Sequence, residues 1–199
     1  MTTRTRRAAP MAPEERRASI VDAAIPLILE RGAEVTTREI ADAAGIAEGT
    51  VFRAFADKTE LIDAAITRVM DPTALLAELE SIDPDAPLDA KVERVVGLMH
   101  GRVSAVVRFM SALGPRDHAR HRAGEEHPHR NPPLSETTDV VARLLEPDAH
   151  RLRVPVATAV DYLRILVFGT TMPFLTTGGT SDPSELADFI LRGIAKEGD

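Results

Sequence analysis

Cysteine is missing from all 199 residues, which excludes disulfides, a thiol nucleophile and any cysteine-based zinc site. With no disulfide chemistry to protect, a cytoplasmic location is the natural expectation. Long hydrophobic runs are missing too. The most apolar stretch, Val154 to Leu175, contains Asp161 and Arg164 and is broken by Pro173, so neither a transmembrane span nor a membrane partner is expected. The N-terminus carries arginines but no apolar h-region, so no secretory signal is expected either. Also lacking are a nucleophile elbow, a phosphate-binding glycine loop, an HExxH pair and paired inward carboxylates at helical spacing. The chain therefore reads as no enzyme, with no cofactor and no resident metal. Strand-like alternation occurs nowhere.

What is present is enough apolar residue, 44%, to bury a core, together with helical periodicity along most of the chain. The first helix should open at Pro13, carry Ile20, Val21, Ala24, Leu27 and Ile28 inward, kink at Pro26 and end at Arg31-Gly32. A fourth helix starts at Asp57, which pairs with Glu60 in a capping box, and runs through Leu61, Ile62, Ala65, Ile66 and Val69 to about Met70. It links the N-terminal unit to the rest, so movement of the body would tilt the unit through it. A short helix covers Leu75 to Ile82. Leu88 to Leu113 carries the longest stripe: Leu88, Val92, Val95, Met99, Val103, Val106 and Met110. Leu134 to Leu145 and Pro155 to about Met172 follow, the latter apolar nearly all round and so expected to be buried on both sides. Asp182-Pro183 opens a last helix.

Between the first and fourth helices, TTREIADAAGIAEGTVFRAF, Thr36 to Phe55, holds two short helical patterns about one corner. Ile40, Ala41 and Ala44 share a face of the first, and Val51, Ala54 and Phe55 share a face of the second. Gly45 supplies the positive φ of a tight turn and Ile46 plugs the corner. This is a helix-turn-helix, whose second helix fits a DNA major groove. Thr36 and Glu39 form a capping box, leaving N–H groups free for phosphate.

The run GIAEGTVFRAFADKTEL, Gly45 to Leu61, resembles the TetR family of bacterial transcription regulators, whose recognition helix ends in aromatic-Arg-x-Phe before a Lys that opens the next helix. Here these are Phe52, Arg53, Phe55 and Lys58, and the resemblance covers about residues 14 to 64. Phe52 stands where Tyr is usual, Ala54 where His is common, and Glu48 where a basic or neutral residue is frequent. Each change removes attraction for phosphate. The DNA-contacting set expected is Thr36, Thr37, Arg38, Glu48, Gly49, Thr50, Phe52, Arg53 and Lys58. Lys58 should hold phosphate, Arg53 either a guanine edge or phosphate, and Glu48 either accepts from a cytosine amino group or favours the helix N-terminus.

The net charge of −7 is unevenly spread. The first 17 residues hold five arginines against two glutamates, +3, so the remainder carries −10. A locally basic arm on an acidic body suits a specific duplex DNA partner. The expected organisation is all-α: a flexible basic arm at 1–12, a three-helix DNA-binding unit with its helix-turn-helix at 13–60, and a helical ligand-binding and dimerisation body at 61–199. The resemblance implies a ligand-responsive repressor that binds a palindromic operator as a homodimer, with the self-contact expected through residues 156–194, where Leu163 and Phe189 are candidate interface residues. A small hydrophobic effector would meet Met99, His100, Val103, Val107, Met110, Phe168 and Met172, although ordinary core packing explains the same residues. The alternatives are an all-α small-molecule-binding protein or enzyme that keeps a helix-turn-helix as a packing unit, and a scaffolding protein. Gly114 to Pro133 reads as a loop whose His118, His121, His127 and His129 lack the regular spacing of a metal site.

Overall fold

The computed structural model describes residues 12–114, 134–172, 174–176 and 182–195. The basic arm, the four loop histidines and most of the Thr176 to Thr180 segment lie outside these. The described residues are helical with one isolated antiparallel bridge, Leu152 to Ala195. In order the helices are α1 (Pro13–Arg31), α2 (Thr37–Ala43), α3 (Glu48–Ala54), α4 (Lys58–Met70), α5 (Thr73–Glu80), α6 (Leu88–Leu113), α7 (Thr138–Leu145), α8 (Val156–Thr171) and α9 (Pro183–Ile194). Among the described residues no helix is long and apolar enough to cross a membrane.

The chain divides into two compact units. The first comprises α1 to α4 and the last turn of α6, and so extends to Met70 rather than stopping near residue 60. Its core joins Ile20, Val21, Ala24 and Ile28 of α1 to Ile40, Ala41, Val51, Phe55, Leu61, Ile62 and Ala65, with Phe109 and Leu113 closing it. Glu15 accepts from the Ala12 N–H at 3.2 Å at the start of α1, and the helix continues through Pro26, which is exposed. Gly32 ends it at φ +62°, and a Cβ there would collide with the Ala112 carbonyl oxygen, so both backbone conformation and space demand glycine.

The second unit holds α5, α6 as far as Arg108, and α7 to α9. Leu75, Val92, Val95, Val96, Met99, Val141, Leu145, Val160, Val167 and Ile190 are among its buried residues. Leu163 is fully buried in this core, which corrects its placement on a dimer face. Burial of α8 is one-sided in this chain: Val156, Ala159, Val160, Leu163 and Val167 face the core, while Tyr162 and Ile165 are 47% and 61% exposed. Lys91, 1% exposed, is the unforeseen feature. Its ammonium donates to the carbonyls of Pro84 and Leu144 at 3.0 and 3.2 Å and forms an ion pair with Asp148. Burial pushes the Asp148 carboxyl up, but Lys91 and then Arg151 outweigh it and hold the group below its ordinary range.

Candidate nucleic-acid interface

The corner between α2 and α3 is built from its backbone outward. Gly45 has φ +66°, its N–H donates to the Asp42 carbonyl at 3.2 Å, and the Ile46 N–H donates to the Ala41 carbonyl at 3.0 Å. These two bonds are the Schellman motif, which satisfies the last carbonyls of α2 and turns the chain sharply. Thr36 caps the other end of α2. Its hydroxyl oxygen accepts from the Glu39 N–H at 3.2 Å, while the Glu39 carboxylate accepts from the Thr36 N–H and hydroxyl, each at 2.9 Å. Those Thr36 bonds, and the Arg31 guanidinium paired with the carboxylate, hold Glu39 below its ordinary pKa.

Val51 and Phe55 bury the back of α3, at 1% and 2% exposure, leaving Glu48, Gly49, Phe52 and Arg53 on the surface. A Cβ at Gly49 would meet no atom within 4 Å, so nothing in the fold requires that glycine. Thr37 donates its hydroxyl to Glu48 at 2.7 Å, tying the first residue of α2 to the first of α3. Arg38 is exposed. Thr50 and Arg53 line a groove of about 250 Å³ with Pro13, Arg16, Arg17 and Ala54, so the outward side of α3 is continuous with the start of α1. Lys58 is placed differently from the expectation of an open cation: its ammonium donates to the Ala33 carbonyl at 2.6 Å. Two of its three N–H donors remain for another acceptor.

This layout is two short helices at a glycine corner, roofed by α1 and followed by a capped α4. The family described as bacterial regulatory proteins of the tetR family matches residues 20–65, from within α1 to within α4 and including all of α2 and α3. Residues 20–65 are thus a TetR-type DNA-binding module. Solved structures of similar fold include a tetR-family transcriptional regulator from Streptomyces coelicolor, 22% identical over 92% of this chain and 80% of that one, with TM-score 0.54. SmeT, the repressor of the Stenotrophomonas maltophilia multidrug efflux pump SmeDEF, is 22% identical over 92% and 91% of the two chains, with TM-score 0.55. A tetR-family protein from Mesorhizobium loti is 14% identical over 94% and 100%, with TM-score 0.58. Among curated proteins, none matches this chain.

In the N-terminal unit one residue matters that the sequence showed only as part of the net charge of the first 17 residues. Arg17 of α1 donates to the Ala54 carbonyl at the end of α3, pairs with Glu60 of α4 at 2.9 Å, and sits 4.1 Å above the Phe55 ring. Glu60 also accepts from the Ala56 N–H at 2.6 Å, and that bond, ahead of Arg17, lowers its pKa. The partners are 37 and 43 residues away, so no local pattern could announce them. Of the residues expected around a ligand, Met99, His100 and Val103 are buried in the body, and Val107, Phe168 and Met172 pack against it. Met110 is the correction. It packs on the N-terminal unit's core, because α6 has passed out of the body by Arg108.

Proposed function

We propose that the protein is a homodimeric transcriptional repressor that reads a palindromic operator and is released by a small apolar effector held in its helical body. The observation that carries this is the helix-turn-helix: α3 is fixed from behind by Val51 and Phe55, while Gly49, Phe52 and Arg53 remain outward. Thr36, Thr37, Arg38, Glu48, Gly49, Thr50, Phe52, Arg53 and Lys58 form its DNA-contacting set. Gly49 lets the backbone approach the groove wall, and Thr50 offers a methyl to thymine or a hydroxyl to phosphate.

One such module makes too few contacts for useful affinity, so it acts in pairs on two half-sites. The exposed Tyr162 and Ile165 of α8 and Phe189 of α9, the last 65% exposed, suit a four-helix contact between copies within 156–194. SmeT, similar in fold, is described as a repressor. The test is selection of bound duplexes from a genomic-fragment library, followed by footprinting. Protection of two half-sites related by a two-fold axis is the expected result. Failure to enrich any duplex would favour a ligand carrier that keeps the helix-turn-helix only for packing.

A further inference from the structure

Helix α6 carries two buried polar atoms that find no hydrogen-bond partner among the described residues. His100 is 5% exposed and Ser104 follows one turn later, and neither the imidazole Nε2 nor the serine Oγ has a hydrogen-bond partner among the described residues. A helical serine ordinarily returns its hydroxyl to the carbonyl four residues back, and Ser104 does not. A buried donor or acceptor left unsatisfied has lost its water without compensation, and folded proteins keep few such groups. Two of them on one face of one helix ask for a partner.

Helical spacing puts His100 at the edge of the stripe formed by Val92, Val96, Met99 and Val103, with Ser104 and Gly97 just beyond it. Gly97 is half-buried, and a Cβ built there meets no atom within 4 Å. The face beside the imidazole therefore has room that α6 itself does not fill. We propose that His100 and Ser104 form the hydrogen-bonding end of an effector site in the body, taking a neutral hydroxyl or carboxamide on an otherwise apolar molecule. This rests on the ligand-responsive reading above and adds the chemistry of the ligand.

The charges around the pair argue for neutrality. Asp182, at the start of α9, acts on His100, while its carboxylate already accepts from the Ser184 N–H at 2.9 Å. Glu93, two turns earlier on the same face, accepts from the Ser184 hydroxyl at 3.3 Å. Both carboxylates repel an anion and are already engaged by Ser184. Arg102 donates to the Asp71 carbonyl at 3.0 Å. Burial lowers the His100 pKa against the opposing pull of Asp182, so the neutral ring can accept or donate through Nε2, and the serine hydroxyl can do both. A group that also does both, a hydroxyl or a carboxamide, satisfies the pair, whereas an ammonium would pay for burial among valines and methionine.

The test uses the full chain with nitrogen-labelled histidine and three probes of equal length: 1-octanol, octanoate and octylammonium. Octanol is expected to shift the His100 ring nitrogens, and to bind about tenfold more weakly after Ser104→Ala. Octanoate and octylammonium should leave the ring unchanged. Without any probe, His100→Leu with Ser104→Ala should raise the Tm by about 2–4 °C, since it removes unsatisfied groups rather than bonds. A fall in that Tm, tighter binding of either charged probe, or no octanol effect on His100 overturns the proposal. DNA binding is measured on the same samples. If operator binding persists while the probe results fail, only the effector assignment falls; if the parent protein binds no operator, the regulator reading itself falls.

Discussion

Arg53 lies opposite Val51 and Phe55 on α3, because two residues after one and two before the other is half a turn at helical spacing. That outward direction makes it the expected base reader. Arg53→Ala should cost about 1–3 kcal/mol per half-site and relax preference at a single base position, measured across a panel of single-base operator variants. A uniform loss with unchanged preference would assign Arg53 to the backbone instead, where it shares the groove with Arg16 and Arg17. A second residue-scale prediction concerns the buried Lys91–Asp148 pair. Lys91→Met leaves Asp148 partly uncompensated and should cost about 3–5 kcal/mol in urea unfolding. The folded carboxyl has a lowered pKa, so its contribution is present above the unfolded value of about 3.9 and is lost as pH falls through the folded value. Tm should therefore decline on acidification below about pH 4 by more in the parent than in Asp148→Asn.

At the scale of elements, the caps were legible because each is local: Thr36 with Glu39 and Asp57 with Glu60 are three residues apart, and Gly45 follows its helix directly. How α3 is held against α1 and α4 was not legible. That depends on Arg17, whose donors reach Ala54 and Glu60 across the fold and whose charge covers Phe55. Arg17→Ala should destabilise the N-terminal unit by only about 1 kcal/mol, since the ion pair is partly exposed. The larger loss is expected in DNA affinity, through an α3 less firmly oriented. Melting followed by circular dichroism and operator titration on the same variant separate the two, and equal losses in both would leave Arg17 an ordinary structural residue.

At the scale of the whole molecule, assembly follows from which apolar faces remain open. Ile165→Asp or Phe189→Asp should yield a folded monomer in sedimentation, because each side chain is more than half exposed in the single chain. Leu163→Asp should instead unfold the protein by placing a charge in the core. Folded dimers from both exposed-face variants would place the contact elsewhere. The contrast between Leu163 and Ile165 also marks where sequence reasoning stops. Periodicity, prolines, caps and the glycine corner determined by themselves the order of the helices, the all-α class and the helix-turn-helix, since all of these are set by residues within a turn or two of each other; bounds were less well fixed, for α5 runs Thr73–Glu80 rather than Leu75 to Ile82 and α7 starts at Thr138 rather than Leu134. In α8 the apolar residues surround the helix, so spacing identified no inner side; α7 and α9 packing decided it. The same holds for Met110, carried by the length of α6 into the N-terminal unit, and for Lys91, whose partner carbonyl at Leu144 is 53 residues away. A side chain's own helix sets its direction, but what it meets there is decided by elements distant in the chain, and only the tertiary structure brings them together.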